Sequence, residues 1–305
     1  MIAIIDGNHL FHRVRHIKAL SKLRRYTGLH TGVVMGFVRS IHGLLVKFPS
    51  IDQVHVVFDG GHSERRKGWL SEYKVKPPMG EEDRERYEDD LGQLAILKNA
   101  ILWRLGCRIY QFYGREGDDV IYQLCKMSGS EKVIVMSGDK DMLQLVDLET
   151  MIYDPLKEQV VTFENFKELT GINNPKQWVW YRSIIGDKSD NIPGVPGVGE
   201  KTIKPILADR WETSGDFLAA AEDGDFGKRA AKLATEESQD ILCRNIELMR
   251  LDAEVFDDKE RRVMEQTYVS ETYVDLDLFR IFKSLSFQEL CDQFDSWIAP
   301  FQRLK

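Results

Sequence analysis

Short apolar runs alternate with longer amphipathic stretches through the first 145 residues. AIIDG (3–7), VHVVFDGG (54–61), CRIYQF (107–112) and VIVMSGDKD (133–141) each open with the composition of a buried strand. Between them, VVMGFVRSIHGLLVK (33–47), the segment from Asp90 to Leu105 and the segment from Gly117 to Met127 carry apolar residues at helical spacing. Strand–helix alternation predicts an α/β fold, with a mostly parallel central sheet and helices on both faces. Residues 62–90 are charge-rich and broken by Pro77-Pro78 and Gly80, which cannot continue a regular helix. The later part turns helical and polar. The expected division is an α/β core over 1–180 and a helical region over 181–305. No internal repeat or low-complexity tract is visible.

Composition narrows the class. With 43% hydrophobic and 30% charged residues the chain is globular rather than disordered. No apolar run approaches the roughly 18 residues a membrane span needs, so no membrane contact is expected. MIAIIDGNHL reads as a strand and not as a signal peptide. Cys107, Cys125, Cys243 and Cys291 are scattered and form no CxxC, so free thiols in a reducing cytoplasm are expected and a zinc site is not.

The acids carry the chemical signal. Asp6 and Asp59 follow apolar runs directly, the pair Asp139/Asp141 follows VIVM after Ser137-Gly138, and CRIYQF leads through YGRE into Glu116, Asp118 and Asp119. If the strands run parallel, these acids share the edge where ligands gather in open α/β sheets. Asp187 and Asp190, three residues apart, can share one face of a helical turn. Each acid also has an ordinary reading as a helix cap or turn residue. Their recurrence at successive strand ends points instead to a cluster. Such a cluster would be strongly unfavourable without hard divalent cations such as Mg²⁺ or Mn²⁺.

A second motif is IPGVPGVGEKTIKPIL (192–207). Gly194, Gly197 and Gly199 permit a tight turn that enters a helix with Lys201 and Lys204 near its start. Such a turn is an anion site, and a phosphate backbone is the obvious anion. A plain helical hairpin, whose glycines only permit packing, is the other reading. The net charge of −7 argues mildly against nucleic acid, but the charge is blocked. Six basic residues and no acid lie between His12 and Arg25, and Arg65, Arg66, Lys67, Lys74 and Lys76 cluster before the acidic EEDRERYEDD (81–90).

IIDGNHLFHR, VVFDG, SEYK, YGREGDDVI, VMSGDKDMLQLV and SIIGDKSDNIPGVPGVGEKT, in that order, resemble the 5′-nuclease (flap endonuclease) superfamily. Its members include the 5′–3′ exonuclease domain of bacterial DNA polymerase I and stand-alone phage 5′-exonucleases. The likeness covers most of residues 1–205; beyond about 210 only a helical tail is expected. With no polymerase region, the chain resembles the stand-alone phage enzymes. The resemblance implies one metal site from Asp6, Asp59, Glu116 and Asp118, with Asp119 alongside, and a second from Asp139, Asp141, Asp187 and Asp190. It implies a helix–hairpin–helix element at about 184–208 that grips duplex backbone through Gly194, Val195, Gly197, Gly199, Lys201 and Thr202 and holds a K⁺ ion. It also implies a helical arch at about 63–95 carrying Arg66, Tyr73, Lys74 and Lys76. The family's Arg three positions after the arch lysine is here Pro77, with Lys76 and Arg84 as candidate substitutes.

The implied activity is structure-specific 5′-nuclease cleavage of DNA, and of RNA–DNA hybrids, near single-strand/duplex junctions. Two metal ions would drive phosphodiester hydrolysis. Lys74 would add positive charge to the phosphate; Tyr73 or Phe11 would stack on an unpaired base, with a place in the core as the equal alternative for Phe11. The expected setting is DNA replication or repair in the cytoplasm, by a monomer working with replication proteins. A PIN-like ribonuclease, a catalytically inactive DNA-binding accessory protein and a small-molecule phosphatase remain as alternatives. The glycine-rich hairpin, the full acid set and the arch, respectively, count against them.

Overall fold

The computed structural model describes every residue except 26–27, 209–213, 224–225, 228–230 and 252–255. Its centre is a six-stranded sheet built from β1 (Ile2–Asp6), β2 (Gln53–Val57), β3 (Cys107–Tyr110), β4 (Val133–Met136), β5 (Thr150–Asp154) and β6 (Gln159–Val161), in the order β3-β2-β1-β4-β5-β6. All neighbours pair in parallel except β6, which runs antiparallel along the edge. The predicted parallel sheet is therefore present. The hairpin β5–β6 was not expected, because its strands are short and separated by the charged Asp154-Pro-Leu-Lys-Glu158 turn.

The helices are α1 (Gly7–Arg15), α2 (Gly32–Lys47), α3 (Glu64–Trp69), α4 (Glu81–Ile96), α5 (Gly117–Met127), α6 (Phe166–Thr170), α7 (Trp178–Ile185), α8 (Glu200–Leu207), α9 (Ser214–Glu222), α10 (Glu236–Met249), α11 (Asp258–Tyr268), α12 (Leu278–Ser284), α13 (Gln288–Asp292) and α14 (Phe294–Ile298). α2 and α5 match their predicted spans. α4 does not: the helix expected at 90–105 begins at Glu81, passes through the acidic run and continues as a π-turn over Leu97–Ile101. Glu81, Glu82 and Asp83 sit in its first turn, where carboxylates favour the positive end of the helix dipole. Before it, residues 75–80 have no regular structure, as Pro77-Pro78 requires.

The period of two along each strand supplies both faces of the sheet. Ala3, Ile5, Val54, Val56, Ile134 and Met136 enter one apolar core with α1, α2 and residues 97–105. Ile2, Ile4, Val57, Val133 and Val135 enter the other, with α5, α7 and α8. The helical tail expected at the C-terminus is present, and its Leu278, Phe282, Leu290, Phe294, Trp297 and Phe301 return to close the first core. Phe11 is a core residue there too, 2% exposed, so it is no platform for a base. His55 is fully buried in β2, with a ring nitrogen 2.9 Å from the Tyr110 hydroxyl. Burial first, and Arg108 second, lower its pKa to about 3. Among the described residues no helix is long and apolar enough to cross a membrane, and the four cysteines are free thiols.

Candidate active site

Parallel pairing brings the carboxyl ends of β1, β2 and β4 to one edge. Asp6 ends β1 and caps α1: one carboxylate oxygen accepts the His9 N–H at 2.9 Å, the other the Ser137 hydroxyl at 2.8 Å. Asp59, just past β2, accepts from the Asn8 side-chain amide and from the Gly117 N–H, both at 2.6 Å. Asp139 caps the short turn after β4 by accepting the Asp141 N–H at 2.8 Å. The ordinary capping readings are thus correct for Asp6 and Asp139, and the two residues still belong to the cluster.

Asp118 has a different environment. No donor reaches its carboxylate among the described residues. Burial, followed by the neighbouring Asp139, Asp6 and Asp59, pushes its pKa well above the carboxylate range, against the pull of Lys74. Burial and then Asp141 raise Asp139 in the same way, and burial raises Asp59. A set of hard oxygen donors that repel one another this strongly suits divalent cations. The residues present therefore fit the group the sequence implies. No three of them among the described residues are yet gathered on one ion-sized point. Among the described residues three basic side chains, Lys74, Arg182 and Arg66, take up charge instead.

The first is Lys74. Its ammonium lies 2.9 Å from Glu116 Oε2 and 3.9 Å from Asp190 Oδ2. Burial alone would lower its pKa; Asp118 and Glu116 outweigh that and hold it above the ordinary lysine range. The second is Arg182 on α7, which the sequence reading missed. Its Nε donates to Asp141 Oδ1 at 2.7 Å, and its Nη2 donates to Asp187 Oδ2. The only signal for it in sequence is its place one helical turn before the Gly186-Asp187 pair.

Three expected site residues are corrected by burial. Arg66 is 2% exposed and does not face solvent. Its guanidinium binds Asp119 at 2.7 and 2.8 Å and Glu116 at 3.0 Å, and its Nε donates to the Leu248 carbonyl. Asp119 is consequently committed to Arg66 and stands behind the cluster. Tyr73 is 4% exposed and donates its hydroxyl to Glu116 Oε2 at 2.9 Å, so its ring is not available for stacking. Glu116 thus accepts from Arg66, Tyr73, Lys74 and the Ser63 N–H, all from the segment 63–74. Burial would raise its pKa, but Lys74 and then Arg66 bring it below the usual range. Lys76 and Arg84 are exposed, as a strand-facing role needs.

The glycine-rich segment joins α7 to α8. Gly186–Asp187 pairs antiparallel with Ile192–Pro193, and the Val195 N–H donates to the Ile184 carbonyl at 2.7 Å. A Cβ on Gly194 would run into the carbonyls of Ile184 and Ile185, so only glycine lets the turn close here. Val195 turns its side chain into the core, 3% exposed, and can contribute only backbone. Gly197, Gly199 and Lys201 are exposed, and Thr202 is half-buried at the start of α8.

Residues 1–171 match the N-terminal resolvase-like domain of 5′–3′ exonucleases, and residues 173–268 match their C-terminal SAM fold. The chain is 31% identical over 205 residues to the 5′–3′ exonuclease of Buchnera aphidicola, covering 66% of this chain and 68% of that protein. It is 34% identical over 215 residues to the DNA polymerase I of Caldicellulosiruptor bescii; the match takes in 68% of this chain but spans only 24% of the polymerase. Among solved structures, the flap endonuclease of bacteriophage T5, crystallised with DNA and metal ions, superposes with a TM-score of 0.66. That match has 20% identity and covers 99% of this chain and 98% of that one. At that identity the likeness shows a shared fold.

Proposed function

Since the chain belongs to the 5′–3′ exonuclease family, we propose that it is a structure-specific nuclease hydrolysing DNA phosphodiesters near 5′ ends and 5′ flaps. The observation that carries this reading is the placement of Asp6, Asp59 and Asp139 at the carboxyl ends of three parallel strands, with Glu116 and Asp118 at the start of α5, Asp190 joined to Glu116 through Lys74, and Asp187 joined to Asp141 through Arg182. Asp6, Asp59, Glu116 and Asp118 would hold one Mg²⁺, and Asp139, Asp141, Asp187 and Asp190 another; Mn²⁺ suits the same oxygen donors. When bound, these ions supply an activated water and charge stabilisation for the leaving oxygen.

The chain's own residues do the rest. Lys74 holds a fixed positive charge at the mouth of the cluster, where negative charge grows on the reacting phosphate. Asn8 and the Gly117 N–H orient Asp59, and Ser137 orients Asp6. The hairpin amides around Gly194, Gly197 and Gly199, with Lys201, hold the duplex backbone without reading its sequence. A K⁺ ion among hairpin carbonyls belongs to the same reading. So do action on RNA–DNA hybrids and work as a monomer beside replication proteins in the cytoplasm.

The discriminating assay compares a 5′-flap duplex, a nicked duplex, an RNA–DNA hybrid and single-stranded RNA, each with Mg²⁺. Cleavage at the flap junction supports the proposal. Cleavage of the single-stranded RNA alone would favour a PIN-like ribonuclease instead.

A further inference from the structure

We propose that Arg182 is a built-in counter-ion that competes with a divalent cation for Asp141 and Asp187, and so sets how tightly the second ion is held. This rests on the metal-site reading above and goes beyond it.

The two halves of the acid cluster are not equivalent. In the first half, Arg66 and Lys74 both bind Glu116 and, among the described residues, no donor reaches Asp118; in the second, one guanidinium bridges two of the carboxylates, and Asp187 is crowded. Its Oδ1 accepts both the N–H and the hydroxyl of Ser189, at 2.7 and 2.6 Å, and its Oδ2 accepts from Arg182. Asp141 Oδ1 is taken by Arg182 Nε at 2.7 Å. The guanidinium spans the two carboxylates and is 12% exposed. Its helix is held against the loop after β4, since Trp178 Nε1 donates to the Lys140 carbonyl at 2.7 Å. Arg182 can therefore leave only by turning its own side chain.

A guanidinium and a divalent cation cannot share these oxygens at close range without strong repulsion. A cation entering between Asp141 and Asp187 must displace Arg182. Its binding is weakened by whatever the ion pair contributes. This predicts two unequal binding steps, with the weaker one governed by Arg182.

A residue that merely orients the carboxylates makes the opposite prediction, because loss of an outer partner weakens metal binding by about 10- to 100-fold. The test is Mn²⁺ binding to the full chain without DNA, followed by the electron paramagnetic resonance of free Mn²⁺. Arg182→Gln, which removes the charge but keeps a polar group, should tighten the weaker step by roughly tenfold. A second step appearing only in this variant would count the same way. Arg182→Lys keeps the charge and should stay near wild type. Asp187→Asn should abolish the weaker step, identifying it.

If Arg182→Gln leaves the weaker step unchanged or loosens it, the counter-ion role is wrong while the metal sites stand. If the wild type and the variants bind no Mn²⁺, the metal-site reading fails with it.

Discussion

The backbone N–H of Lys74 donates to the carbonyl of Asp190 at 3.0 Å, and the Lys74 ammonium stands 3.9 Å from the Asp190 carboxylate. Lys74 adopts φ 55°, left-handed backbone that non-glycine residues rarely take. Asn191, also left-handed at φ 60°, donates its side-chain amide to the carbonyls of Glu72 and Val75. The base of the arch is thereby tied to the loop that carries Asp187 and Asp190. Its lysine is aimed into the acids by the backbone rather than by side-chain reach alone.

On the proposed function, that placement suits Lys74 to the chemistry more than to DNA binding. Lys74→Ala should lower single-turnover kcat by about two to three orders of magnitude, with little change in substrate Kd. Lys76→Ala and Arg84→Ala, both on the exposed surface, should raise Kd and leave kcat near wild type. The reverse pattern would assign the missing arch arginine's role to one of them.

Arg66 is the buried counterpart. It pairs with Glu116 and Asp119 at once, so truncation strips the buried Asp119 of its guanidinium and leaves Glu116 to Lys74. Arg66→Ala should destabilise the fold by about 3–5 kcal/mol in urea titration. Activity should fall through misplacement of Glu116, with no change in the salt dependence of DNA binding. A reduced salt slope would show that Arg66 meets phosphate.

Lys201, exposed in the first turn of α8, should behave as a phosphate contact. Lys201→Ala should weaken duplex binding equally for unrelated sequences and reduce the slope of log K against log salt by about one unit. An unchanged slope would remove this helix from the duplex interface.

His55 gives a pH signature independent of the acids. Its folded pKa, about 3, lies below the unfolded value of 6.5, so the unfolded chain binds the extra proton between those values. The stability that His55 contributes is complete above pH 6.5 and is lost as pH falls towards 3. His12, lowered to about 4 by burial and then by Lys76, acts in the same direction. Comparing urea midpoints at pH 7 and pH 4, His55→Gln should show a smaller drop than wild type. An equal drop would mean that His55 is not a source of the acid sensitivity.

The features legible in the sequence were those that depend on neighbours along the chain. An apolar run followed at once or within three residues by an acid placed Asp6, Asp59 and Asp139 at strand ends, and parallel pairing did the rest. The pairing of charges was not legible. Arg66 and Arg84 look alike as basic residues near the arch, yet one is buried against Asp119 and the other is exposed. Only tertiary packing separates them. Arg182 escaped notice for the same reason, since nothing local says that a helix of the hairpin will face Asp141. The edge hairpin β5–β6, and the return of the expected C-terminal helices to the first core, were missed because short or separated apolar segments declare their partners only through long-range contacts.

The proposed role of these carboxylates is to hold divalent cations that cut DNA at a junction. It is tested most directly by cleavage of a 5′-flap duplex by the wild type and by the double variant Asp139→Asn, Asp141→Asn, each in Mg²⁺ and in EDTA, with folding followed by circular dichroism. Cleavage is expected only by the wild type in Mg²⁺, with the double variant folded and inactive. Sustained cutting in EDTA, or by the folded double variant, would contradict it.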